Sequence, residues 1–88
     1  MVMMKFGLRI KGKENLLRSQ PSNYEAASKP ANQLVEEDGD GIWLVDNVKM
    51  ATMVAMASTP YVYSSFENPF YDFPGESLEV VPVLMQIQ

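Results

Sequence analysis

The chain opens with a regular alternation of apolar and polar side chains. Between Lys5 and Lys11 every second position is apolar, namely Phe6, Leu8 and Ile10. This period of two is typical of a β-strand with one buried face. The glycine and lysine that follow can turn the chain, so that residues 15–18 return as a short second strand. The sequence therefore predicts an antiparallel strand pair at its start.

The next segment, 19–33, has two interpretations. Ser22 and Glu25 have the spacing of a helix capping box, which predicts one or two helical turns over 24–28 that end before Pro30. The polar, proline-flanked composition equally favours a mobile loop over 19–33. The sequence leaves both alternatives open.

Two short apolar runs, 33–37 and 42–45, flank the cluster Asp38-Gly39-Asp40-Gly41. Such runs around glycine and aspartate predict a β-hairpin, with Trp43 as a core anchor in its second strand. The two aspartates resemble the start of a calcium loop, but isoleucine and tryptophan occupy its fifth and sixth positions. We therefore predict no metal site here, and expect a solvated turn or a charged surface.

A helix is predicted directly after this hairpin. Asp46 is placed to cap its first turn, and Pro60 disfavours helical geometry at the residue before it. A core-facing stripe with the spacing i, i+3, i+4, i+7 is formed by Met50, Met53, Val54 and Ala57. Met56 lies outside this stripe, and we predict that it contacts a partner.

The remaining chain predicts a strand at 61–65, an ordered loop at 66–77 and a last strand at 78–87 that is apolar on both faces. Pro82 predicts an edge or a bulge in that strand. Together these elements predict one α+β domain over 1–88. Its core would be a small antiparallel sheet of four to six strands with one main helix packed across it.

The amino-acid composition excludes several classes of chemistry, although it says little about the fold. The 88 residues include no cysteine and no histidine, which removes thiol chemistry, thiolate metal sites and the commonest general base. No nucleophile–base motif or phosphate loop occurs, so we predict a protein that is not an enzyme and has no cofactor. The net charge of −4 disfavours nucleic acid as a partner. No apolar run is long enough to span a membrane, and we expect a cytoplasmic protein, with Met4 as an alternative start.

The strongest candidate for binding is an aromatic segment. Six of the nine aromatic residues lie between positions 61 and 73, namely Tyr61, Tyr63, Phe66, Phe70, Tyr71 and Phe73. Clustered aromatic side chains predict either a protein-binding surface or extra core for a small domain. Glu36, Glu37 and Asp38 would steer a basic partner towards that surface. We predict a small protein that binds another protein through these residues.

Two alternative functions belong to other classes. A nucleotide-type ligand could stack on the aromatic rings while Arg9 or Lys11 holds its phosphate. A self-assembling structural subunit could instead associate through the last strand and the apolar helix, as a homo-oligomer.

Four segments of the chain carry a family resemblance: 5–9 (KFGLR), 38–46 (DGDGIWLVD), 63–69 (YSSFENP) and 78–81 (LEVV). Together they resemble small uncharacterised proteins of tailed bacteriophages. The resemblance implies an accessory protein of infection, present in the host cell cytoplasm, that engages or inhibits a host protein. It carries over no catalytic residue.

Overall fold

The structure is a computed structural model. The structure describes residues 1–18, 26–30, 34–36, 41–63, 65–73 and 77–87, and for 26–30 and 36 it describes the main chain. Along the chain the elements are β1 (Val2–Ile10), β2 (Asn15–Leu17), β3 (Ala26–Pro30), β4 (Val35–Glu36), β5 (Leu44–Val45), α1 (Val48–Met56) and β6 (Leu78–Gln86).

Strands β1 and β6 form the centre of the fold. They pair antiparallel over nine consecutive positions, from Val2 opposite Gln86 to Ile10 opposite Leu78. The strand order is β3-β2-β1-β6-β4, and β5 also pairs with β1. All pairings are antiparallel except that of β4 with β6, which is parallel. The predicted α+β class, with one helix packed on a largely antiparallel sheet, is confirmed.

Each face of the sheet carries its own apolar cluster. Because side chains alternate along a strand, even-numbered residues of β1 such as Leu8 pack with α1 on one side, which we call the helix side. Odd-numbered residues of β6 lie on the other side, which we call the far side. The buried members of the far-side cluster are Leu16, Val35, Val81, Val83 and Met85. This double burial explains why the last strand is apolar on both faces, as its sequence indicated.

Gly7 allows β1 to pack closely on the far side. A Cβ atom at this position would lie 3.1 Å from Leu44 Cδ2, and 3.3 Å from both Leu16 Cδ2 and the Trp43 carbonyl oxygen. These distances are shorter than ordinary van der Waals contacts between carbon atoms. A glycine therefore lets β2 and β5 approach the same edge of β1.

The predicted hairpin between 33–37 and 42–45 is wrong. Val35 of β4 pairs with Met85 of β6, whereas β5 pairs with β1 at Phe6 and Gly7. Each apolar run thus finds a different partner within the sheet, and Val35 is buried in the far-side cluster. A glycine- and aspartate-rich turn signal does not specify which strands it joins, so it could not distinguish the two arrangements.

The helical interpretation of 24–28 is also wrong where the structure describes it, because 26–30 forms β3. This strand pairs with β2 and so covers an edge that would otherwise present unpaired main-chain groups. The capping residues Ser22 and Glu25 lie outside the described residues.

Helix α1 begins one residue later than predicted. Asn47 is its N-cap, and the Asn47 side chain accepts a hydrogen bond of 2.8 Å from the Lys49 amide. Asp46 instead forms an ion pair with Lys5 of β1. That pairing with a cation removes the carboxylate from the capping position.

The buried face of α1 is rotated relative to the predicted stripe. Ala51, Val54 and Ala55 are buried, whereas Met50 and Met53 are half-buried. Nearly every residue of this helix is apolar, so more than one stripe fits the helical period. The small alanine side chains let the helix lie close to the sheet, and the longer methionines fill its margins.

The predicted strand at 61–65 is replaced by a closed loop. The Val62 amide donates to the Phe66 carbonyl over 2.9 Å, and the Asn68 amide donates to the Pro60 carbonyl over 2.8 Å. Tyr61 makes an isolated bridge with Glu67, and Ser64 lies outside the described residues. Pro82 creates no bulge, because the β1–β6 register runs through it without interruption.

Candidate protein-interaction surface

Large side chains project into solvent beside the C-terminal half of α1. Met56 is 76% exposed, Tyr61 is 54% exposed and Tyr63 is 44% exposed. Met53, one helical turn before Met56, accepts a hydrogen bond of 3.1 Å at its sulfur from the Tyr63 hydroxyl. We call Met53, Met56, Tyr61 and Tyr63 the tyrosine–methionine surface.

Asn68 fixes the loop that carries these tyrosines. Its side chain is buried, and its amide nitrogen donates to the carbonyls of Val54 (3.4 Å) and Ala57 (3.0 Å) at the end of α1. Its side-chain oxygen accepts from the Phe70 amide over 2.9 Å. The last turn of a helix has carbonyls without intrahelical partners, so one side chain both satisfies these groups and ties the loop to the helix.

Phe70 attaches the same loop to the hydrophobic core. It is fully buried, and its ring meets the Trp43 ring edge-on, with 5.6 Å between centroids and an interplanar angle of 88°. Edge-to-face pairs of this kind add to the stability that burial provides. The two tyrosines of the tyrosine–methionine surface therefore lie on a loop that is attached to both the helix and the core, and its two methionines lie on the helix itself.

The predicted aromatic contacts thus divide into two groups. The prediction that Phe70 contacts a partner is wrong, because its side chain has no exposed surface. Phe66 and Phe73 are partly buried against the helix-side cluster, since a small domain recruits loop aromatics to complete its core. Tyr71 is exposed like Tyr61 and Tyr63, but no hydrogen bond or ring contact of the described residues joins it to them.

The predicted acidic contacts are only partly within the described structure. The main chain of Glu36 lies in β4, opposite Gln86. Glu37 and Asp38 lie outside the described residues. The structure therefore adds no geometry to the predicted electrostatic steering.

The arrangement predicted for a nucleotide ligand is not assembled around Arg9. Arg9 is an odd-numbered residue of β1 and belongs to the far side, whereas Tyr63 contacts α1 and Phe66 and Phe73 pack on the helix-side cluster. Arg9 is also occupied, because its Nε donates to Glu79 Oε2 over 2.7 Å. Arg9 and these rings therefore lie on opposite sides of the sheet.

The Arg9–Glu79 pair makes stability depend on pH. The hydrogen bond from Arg9, together with the positive charges of Arg9 and Lys11, lowers the pKa of Glu79 below its usual value, against a smaller opposing effect of desolvation. A carboxyl whose folded-state pKa is lowered stabilises the fold above its unfolded-state pKa, and this contribution is lost as the pH falls through the folded-state value. Glu79→Gln should therefore lose less stability than the parent chain between neutral pH and the acid range. Melting curves at several pH values measure this difference, and identical acid sensitivity of both proteins would contradict it.

A cleft of about 460 Å³ lies between β5 and the start of α1, lined by Lys5, Leu44, Val45, Asp46, Asn47, Met50 and Phe66. Its two charged groups are Lys5 and Asp46, which pair with each other. Within the described ranges, no three acidic side chains are grouped as metal ligands would be. The cleft therefore presents no pairing of a nucleophile with a free base.

Sequence reasoning missed Asn68 and the Tyr63–Met53 contact. The dipeptide Asn68-Pro69 indicated a turn, but a turn signal does not show that the asparagine reaches back to a helix end. Contact between Tyr63 and Met53 depends on how the loop folds over α1, which no local pattern reports.

Comparison with known proteins finds no matching family model, no similar curated protein and no similar solved structure. In the part of the chain that the structure describes, no helix combines the length and the apolar character needed to cross a membrane.

Proposed function

We propose that this chain is a non-enzymatic binding protein that engages another protein through the tyrosine–methionine surface. The observation that carries the proposal is the exposure of Met56 at the end of α1, together with that of Tyr61 and Tyr63 on a loop anchored to the helix end and the core. An exposed side chain held by a rigid support loses little conformational freedom on binding.

The chemistry of this surface suits a protein partner. Tyrosine provides large, amphipathic contact area with few rotatable bonds, and it is enriched at the energetic centres of interfaces. Methionine adapts its shape to the groups that it meets. Charged residues, here Lys49 and Glu67, stand nearby as exposed side chains of the same helix and loop. Protein interfaces typically have few charged residues at their centre and polar or charged residues at their rim.

The biological setting is part of the same proposal. The resemblance of four segments to small tailed-phage proteins supports an accessory factor that acts in the host cytoplasm on a host protein. Absence of histidine and cysteine from the whole sequence supports binding without chemistry.

A capture experiment with matched variants tests the proposal. The immobilised protein is exposed to bacterial lysate, alongside the double variant Tyr61→Ala/Tyr63→Ala and the control Leu34→Ala, which removes an exposed apolar side chain of another segment. We expect a partner that the parent chain and the control retain and that the double variant loses by at least about tenfold. Both tyrosines are substantially exposed, so the double variant should melt within a few degrees of the parent chain. Equal recovery of every captured protein by the double variant and the parent chain would refute the proposal.

A further inference from the structure

Two hydrogen bonds at the ends of the β1–β6 pair show which residues of β1 bond to β6 and which direct their main-chain groups away from it. The Ile87 amide donates to the Met1 carbonyl over 2.8 Å, and the Lys11 amide donates to the Ser77 carbonyl over 2.9 Å. In an antiparallel pair, bonded and non-bonded positions alternate. Odd-numbered residues of β1 therefore bond to β6, and even-numbered residues direct their N–H and C=O groups towards the opposite edge.

That opposite edge is only partly covered. Strand β2 pairs with it at Arg9, and β5 pairs with it at Phe6 and Gly7. No strand among the described residues pairs with it at Val2 or Met4. Within the described part of the chain, the amide and carbonyl groups of these two residues consequently form a short open edge.

The open edge lacks the features that normally protect one. Exposed edges usually carry charged side chains, proline or a bulge, whereas residues 1–4 are all apolar and β1 is regular there. Val2 and Met4 are half-exposed, as is Leu84, which lies opposite Met4 in the ladder. The nearest charged side chain, Lys5, is already paired with Asp46, and the ammonium group of Met1 donates to the Ile87 carbonyl on the β6 side. The edge thus combines exposed apolar side chains with main-chain groups that no described strand pairs.

The edge of β6 that faces away from β1 is less suited to pairing with an added strand. By the same alternation, Pro82 opposite Phe6 would direct its nitrogen outwards, away from β1. Proline has no N–H to donate, so an added strand would lose a bond in the middle of that edge. The structure therefore favours β1, and not the last strand, as the site of strand addition.

We propose that the open edge of β1 pairs antiparallel with the same edge of a second copy of this chain. The open groups are arranged symmetrically about Met3, so a twofold axis through Met3 places Val2 of each copy opposite Met4 of the other. All four amides and all four carbonyls then find partners. An edge that satisfies itself under a twofold rotation meets the condition for a symmetric dimer.

The same register brings apolar side chains together. Val2 and Met4 share the helix side of the sheet with Leu84. The twofold rotation sets Val2 of one copy beside Met4 of the other, and Leu84 lies one strand further from the junction. The contact is short, so it belongs to the class of weak, concentration-dependent interfaces. It is separate from the tyrosine–methionine surface, and either site can exist without the other.

Sedimentation equilibrium over a wide concentration range tests this dimer. The parent chain should rise from its monomer mass of 9.9 kDa towards twice that value as concentration increases. Met4→Pro removes an outward amide from each copy without removing a bond to β6, and should weaken association about 10- to 100-fold. Met4→Val keeps the amide and an apolar side chain, and should associate as the parent chain does.

A second variant keeps the test decisive if the proline variant fails to fold. Met4→Lys retains every main-chain group but places two like charges at the junction, and it should also reduce the average mass. Far-UV circular dichroism and melting curves establish that each variant is folded. A parent chain that stays at the monomer mass at its highest attainable concentration would overturn the proposal. So would a folded Met4→Pro or Met4→Lys variant that associates as strongly as the parent chain.

Discussion

Replacement of Phe70 by alanine is expected to lower the free energy of unfolding by about 3–5 kcal/mol, the usual cost of truncating a buried aromatic residue. The ring is fully buried and meets Trp43 edge-on at 5.6 Å. Small domains have only about 5–15 kcal/mol of stability in total. The variant should therefore be close to unfolding at room temperature, and denaturant titration followed by tryptophan fluorescence measures the loss.

The neighbouring tyrosine provides a matched control for this prediction. Tyr71 is the next residue along the chain and is substantially exposed, so Tyr71→Ala should cost no more than about 1 kcal/mol. Similar losses from the two substitutions would show that Phe70 does not anchor the loop to the core.

Asn68→Ala should have the second largest effect, a loss of about 2–3 kcal/mol, because it removes the partner of several buried polar groups at once. The Asn68 side chain donates to the Val54 and Ala57 carbonyls and accepts from the Phe70 amide. Its removal leaves the end of α1 without this donor and releases the loop from the helix. Denaturant unfolding measures the change in stability.

Asn68→Asp separates the two halves of this role. Aspartate retains an acceptor for the Phe70 amide, but at neutral pH it directs a negative charge at two carbonyl oxygens near the negative end of the helix dipole. We expect it to be at least as destabilised as the alanine variant. Wild-type stability of the aspartate variant would show that the donations to the helix contribute nothing.

Local periodicity predicted the parts of the fold that depend on one strand or one helix at a time. The alternation from Lys5 to Lys11, the final apolar strand and the helix before Pro60 are all present, within a few residues of their predicted bounds. These patterns report burial directly, because each face of a regular element repeats at a fixed spacing. These patterns were sufficient to predict the α+β fold class.

Pairing between strands was beyond the reach of the same patterns. Val35 of β4 pairs with Met85 of β6, and Leu44 of β5 pairs with Gly7 of β1. The residues of β4 and β5 alone do not indicate which strand each of them pairs with. Asp46 illustrates the same limit, since it is a good capping residue whose carboxylate is held by Lys5, distant from it in the sequence. Choices of this kind are made by the packing of the whole domain.

The candidate surface was predicted only in part, because the direction of each aromatic ring also depends on the packing of the whole domain. Composition identified the aromatic segment 61–73, but not which rings point inwards. Phe70 is buried and Tyr61 is exposed, in keeping with the polar hydroxyl group that tyrosine carries and phenylalanine lacks. A preference for exposed tyrosine over phenylalanine would have separated most of these residues correctly.

Site-specific photocrosslinking tests the proposed function most directly. A photoreactive phenylalanine analogue is placed at Tyr61 and, in a parallel sample, at Lys13, an exposed residue of the turn after β1. The proposal predicts one discrete crosslinked protein from bacterial lysate at Tyr61, absent at Lys13 and suppressed by excess unlabelled parent chain but not by the variant Tyr61→Ala/Tyr63→Ala. The same products at both positions, or no product at Tyr61, would contradict it.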